Sequence, residues 1–146
     1  MSCPACIAFS GGNNWGAYNH VAPQPNLDSI RNYIAQYGNA DWNSNELVLI
    51  QVLLFNSQMQ ATTADDARSW AKYFSLRRSK NRIVLSGDAS MATPANRELV
   101  PGFHLVDRDI RLICDSSGES PRNDLYTELL PKLGELLAAK HLSQSN

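Results

Sequence analysis

The sequence has no apolar run long enough to cross a bilayer as a helix, little charge of either sign, and an odd number of cysteines. Its longest nearly unbroken apolar stretch, Leu47 to Phe55, is interrupted by Gln51 and is about half the length of a membrane span. No transmembrane helix is expected. Charged residues make up only 18% of the chain and the formal net charge is −1, which gives no basis for a nucleic-acid partner. Arg77, Arg78, Lys80 and Arg82 do cluster, and they read as a solvated loop between two elements. Three cysteines do not suit a secreted disulfide framework and suit a cytosolic or redox-active protein better. The residues ahead of Cys3 lack the basic patch and apolar stretch of a leader, so the chain as written reads as cytoplasmic. A periplasmic setting stays open if a leader was removed.

What is present is a globular composition: 146 residues with 43% hydrophobic content, enough for one domain, 1–146, with a core of its own. Asn26 is placed to cap a helix in which Leu27, Ile30, Ile34 and Tyr37 recur at helical spacing, with Gly38 as its stop. Leu47 to Phe55 then reads as a central parallel strand buried on both faces. Thr62 and Thr63, three residues ahead of Asp65 and Asp66, form an approximate capping box for a helix burying Ala67, Trp70, Ala71 and Phe74. Ile83 to Leu85 is a short strand, followed by a loop through Pro94. Phe103 to Val106 and Ile110 to Ile113, joined by Asp107-Arg108-Asp109, read as an antiparallel hairpin. Ser120-Pro121 suits an N-cap with proline at the first helical position, and Leu125, Leu129, Leu133, Leu136 and Leu137 supply the stripe of a final helix. Pro131 should kink or restart that helix, and residues 142 to 146 should fray. The order helix, strand, helix, strand, hairpin, helix argues an α/β sandwich with a right-handed crossover between the first two strands.

Cys3-Pro4-Ala5-Cys6 carries the most specific chemistry. Two thiols three apart at a helix start can close a disulfide, and the free amides and dipole of the first turn favour the thiolate of the first. In that reading Cys3 attacks and Cys6 resolves the mixed disulfide. The same spacing makes half a zinc site, for which His20, His104 and Cys114 are the remaining nitrogen and sulfur candidates, none at knuckle spacing. Cys114 reads as a small buried hydrophobe and His104 as a structural histidine. Ser10-Gly11-Gly12 lacks the Gly-Lys-Ser of a phosphate loop. Trp15, Tyr18 and Trp42 suit packing over a sheet more than a binding surface.

Cys3-Pro4-Ala5-Cys6, the strand and helix of 47–55 and 63–75, and Val100-Pro101 leading into Phe103-His104-Leu105-Val106-Asp107-Arg108-Asp109 together resemble the thioredoxin-like redoxins. The resemblance covers roughly residues 46 to 137 by pattern, together with the dithiol. It implies a thioredoxin-like sandwich, a central mixed sheet flanked by helices, with truncation or rearrangement at the N-terminus left open. It implies a cis proline at Pro101 facing the dithiol, with Val100 and Pro101 aligning the backbone of a protein disulfide or dithiol substrate, and neither metal nor organic cofactor. The family places a buried strand, usually ending in tryptophan, before its first cysteine, whereas only Met1 and Ser2 precede Cys3 here. Ile83 to Leu85 could fill part of that gap, the chain could be a truncated form, or the sheet could be rearranged. The expected activity is thiol-disulfide oxidoreduction; the alternative is a non-catalytic interaction domain with a vestigial or structural dithiol. A peroxide-reducing relative fits less well, because no Thr-x-x-Cys pattern accompanies Cys3. No feature specifies an oligomeric state.

Overall fold

The computed structural model describes residues 3–12 and 15–143, with side chains described as far as residue 139. It is a mixed α/β chain with helices and small sheets, and among the described residues no helix is long and apolar enough to cross a membrane. The elements are α1 (Pro4–Gly11), α2 (Ile30–Gly38), β1 (Leu49–Leu53), α3 (Ala64–Tyr73), β2 (Arg82–Ser86), α4 (Pro94–Glu98), β3 (Phe103–Val106), β4 (Leu112–Ser116) and α5 (Leu130–Ser143). Short 3-10 turns occupy Arg78–Lys80 and Ala89–Met91, and a π turn, Leu125–Leu129, leads into α5.

The strands form two separate pairs. β1 and β2 are parallel, in register Leu49 with Arg82 through Leu53 with Ser86, and the crossover between them carries α3. β3 and β4 are antiparallel, with a register irregularity at Leu105/Val106. Among the described residues each pair is a two-stranded sheet with no ladder joining it to the other, so the expected single central mixed sheet is divided in two.

Two half-cores follow from this division. Phe9, Ile30, Ile34, Leu47, Leu105, Cys114, Leu125, Leu129, Leu130 and Leu133 gather between α2, α5 and the hairpin. Ile7, Tyr18, Leu53, Ala67, Trp70 and Phe74 gather between α3 and β1. The helix α1 belongs to both, giving Phe9 to the first and Ile7 to the second. This is why its sequence is apolar all round rather than amphipathic: Ile7, Ala8 and Phe9 are consecutive and all buried.

Several expectations are corrected by the packing. Leu47 to Phe55 is not buried on both faces: β1 alternates, with Leu53 4% exposed, while Ile50 is 55% and Val52 44% exposed. α3 covers one face, and the other opens to solvent. The cap of α2 is Ser29, whose Oγ accepts from the Asn32 amide, because Asn26 adopts a left-handed turn conformation three residues too early. Ser120-Pro121 does not start the last helix; the Asp124 carboxylate accepts from the Tyr126 and Thr127 amides and starts it there. Pro131 does mark a restart, since the π turn ends and α5 begins beside it. The second hairpin strand begins at Leu112, because the Asp107 carboxylate accepts from the Asp109 and Arg111 amides and draws Ile110 into the turn. Arg82 leaves the basic cluster: it is buried, stacked over Trp42, and donates to the Leu47, Asn81 and Trp42 carbonyls. Burial lowers its pKa, and the nearby Asp41 works against that shift. The expected loop through Pro94 contains α4, capped by Thr93. Of the frayed tail, residues 142 and 143 are helical and 144–146 lie outside the described residues.

Other expectations match. Thr63 and Asp66 form a capping box for α3, and Ala67, Trp70 and Phe74 are buried behind it. Gly38, expected as the stop of α2, is its last helical residue, and the left-handed cap that ends the helix is Asn39; glycine is needed at 38 because a Cβ there would stand 2.9 Å from the Leu130 carbonyl oxygen at the α2–α5 crossing.

Candidate functional site

α1 is short because its ends are set by residue type. Cys3 is its N-cap in extended conformation, Pro4 occupies the first helical position, and Gly12 closes it at φ 77°. Cys3 Sγ accepts the Cys6 amide at 3.1 Å, and the two cysteines form a disulfide with their Cα atoms 5.2 Å apart. Both are half-buried, Pro4 between them is exposed, and the Pro4 carbonyl accepts from the Gln24 amide at 3.0 Å. That last bond ties the irregular segment after Gly16 to the head of the helix.

The helix is held to β1 and α3 by a polar chain. Gln51 donates to Ser10 Oγ at 3.1 Å and accepts from Trp70 Nε1 at 2.9 Å. Ser10 near the helix end therefore meets the middle of β1, and Ile7, one turn earlier, packs with Leu53. α1 thus runs against the direction of β1, and its cysteine end lies beyond the C-terminal end of that strand. On the other side Phe9 stacks edge-on against Phe103 at 4.8 Å, fixing α1 to the start of β3.

Cys3 and Cys6 line a groove of about 700 Å³, and Val100, Pro101 and Phe103 line the same groove. The Val100–Pro101 peptide bond is cis, as the resemblance implies. The structure therefore brings all four expected site residues, Cys3, Cys6, Val100 and Pro101, to one cavity. Leu49 to Phe55 form the facing wall, and Met91, Arg97 and Leu99 form a rim around α4. Arg97 lies over the Phe55 ring at 5.6 Å from its centroid.

Of the other titratable candidates, His104 lies at the edge of the same groove and Cys114 lies in the core. His104 is exposed and pairs across the hairpin with Asp115 at 3.1 Å. Cys114 is buried, and burial followed by Glu128 pushes its thiol up from the usual cysteine range, as befits an inert side chain. Among the described residues no group of three potential ligands could hold a metal ion. Tyr18 is buried in the α3 half-core, whereas Trp15 is exposed and donates to the Tyr73 carbonyl at 2.9 Å.

Sequence reasoning missed Gln51 and the α4 rim. Gln51 was visible as the polar interruption of an apolar run, and α4 as Thr93-Pro94, a cap residue followed by proline. No family model, curated protein or solved structure matches the chain.

Proposed function

We propose that the chain is a thioredoxin-like thiol-disulfide oxidoreductase acting on protein disulfides through Cys3 and Cys6. The observation that carries the reading is the convergence of a half-buried dithiol at a helix N-terminus and of Val100-Pro101 on one groove. Reduced Cys3 would be the nucleophile, because its sulfur already accepts the Cys6 amide and a thiolate accepts such a bond more strongly. The Cys3 thiolate attacks a substrate disulfide, joins one substrate sulfur, and releases the other as a thiolate. Cys6 then attacks the Cys3 sulfur, closing the disulfide and releasing the second substrate thiol. The substrate gains two electrons and the dithiol loses them. The Val100-Pro101 segment would align the substrate backbone, and no cofactor is required. The order of β1, α3, β2, the proline-led hairpin and the terminal helix also supports a sandwich of this family.

The non-catalytic reading is favoured by one observation, the open groove between the two sheets. Two measurements separate them. Reduced protein should reduce insulin disulfides, and Cys3→Ser should abolish this. Cys6→Ser should trap a mixed disulfide on Cys3, identified by mass spectrometry. Activity unchanged in Cys3→Ser, or adducts found only on Cys114, would leave the interaction domain as the better account.

A further inference from the structure

The groove has a second property that does not depend on sulfur chemistry. β1 is paired on one side by β2, and β3 on one side by β4. Consecutive residues 49–55 and 99–104 line the groove, whereas no residue of β2 or β4 does. The edges facing each other across it are therefore the unpaired edges of β1 and β3. An unpaired edge presents a row of backbone N–H and C=O groups, and a polypeptide strand is the ligand that can satisfy two such rows at once. A helix keeps its backbone bonds inside itself and can satisfy neither. A two-stranded sheet is marginal alone, so a strand placed here would convert two weak sheets into one of five strands.

The walls specify the chemistry of that strand. Ile50, Val52 and Leu99 are large apolar side chains left 55%, 44% and 45% exposed on this groove. No aspartate or glutamate lines it, and its one permanently charged group is Arg97. Among the described residues no carboxylate lies within ion-pair distance of Arg97. Its place over Phe55, just past the C-terminal end of β1, puts the cation at one end of the slot.

We propose that the groove between β1 and β3 docks an extended, otherwise uncharged apolar segment of a partner protein, paired to both strand edges, with a carboxylate meeting Arg97. This segment adds to the sheets rather than reacting with the dithiol.

The test uses the full chain with acetylated Val-Thr peptides carrying aspartate at the first or the last position, so that either strand direction is sampled. Binding should slow hydrogen exchange at amides in both β1 and β3. N-methylation of alternate peptide residues should weaken binding by about tenfold or more, because it removes several backbone donors and keeps the side chains. Exchanging the aspartate for lysine should weaken binding in the native chain and make no difference in Arg97→Gln. The peptides carry no cysteine and should bind the oxidised chain, whose Cys3–Cys6 disulfide leaves no thiol to react, which keeps this result apart from the success or failure of the redox reading. The proposal is overturned if exchange slows on one strand or neither, or if the N-methylated peptide binds as well as its parent. Concentration-dependent protection of both strands without peptide would assign the groove to a second copy and overturn it too.

Discussion

The alternation along β1 predicts that two apolar residues three positions apart differ sharply in their contribution to stability. Leu53 is 4% exposed and packs with Ile7, Ala67, Trp70 and Phe74, so Leu53→Ala loses its transfer free energy and leaves a cavity. The cost should be about 2 to 5 kcal/mol. Ile50 is 55% exposed, so less than half of the about 1.5 to 3 kcal/mol for full burial is available, and no closed cavity forms. Ile50→Thr, which keeps the β-branched shape and so most of the strand preference, should cost about 1 kcal/mol or less. Urea unfolding followed by tryptophan fluorescence reads both, since Trp70 is among the largest fully buried side chains and stacks on Phe74 at 4.5 Å. A total stability of about 5 to 15 kcal/mol makes the first change a large midpoint shift and the second a small one. Equal costs would mean that both faces of β1 are covered, and the one-sided strand described above would be wrong.

At the crossing of α2 and α5, Gly38→Ala and Gly134→Ala should each destabilise by about 1 to 3 kcal/mol, because the new methyl meets the Leu130 and Gly38 carbonyls respectively. Unfolding midpoints no lower than native would show that the helices do not approach so closely. Asp124 is held below the usual carboxylate range by the Thr127 backbone and hydroxyl bonds, with a further Tyr126 amide bond. Its capping contribution is therefore complete above the unfolded value of about 3.9 and is lost as pH falls through the lower native value. Asp124→Ala should cost about 0.5 to 2 kcal/mol at neutral pH, with the difference from native narrowing in acid. A difference that stays constant with pH would exclude this role.

The parts of the fold written in local chemistry were legible in the sequence. The Thr63–Asp66 box, the glycines that stop α1, the strand-favouring runs and the polar hairpin turn each act within a few residues of themselves. Capping was misplaced where several candidates competed: Asn26 and Ser29, or Ser120 and Asp124, differ only in which neighbouring amides fold toward them. Burial of β1 was misjudged because a continuous apolar run does not say whether both faces are covered. Here Val48, Ile50 and Val52 are left exposed. The dithiol was legible as a motif, and Val100-Pro101 through the resemblance. Their convergence on one groove depends on Gln51 and Phe9, whose contacts at 41 and 94 residues' separation no local pattern encodes.

The claim that Cys3 is an activated thiol is tested most directly by the rate of its alkylation with iodoacetamide across pH in the reduced protein, with the site identified by mass spectrometry. The helix it caps has only eight residues, so its dipole and free amides should lower the thiol pKa by a modest amount. The account predicts an apparent pKa for Cys3 below the reference value of about 8.5, with Cys3 alkylated ahead of Cys6. An apparent pKa at or above that reference value, with both thiols equally reactive, would contradict it.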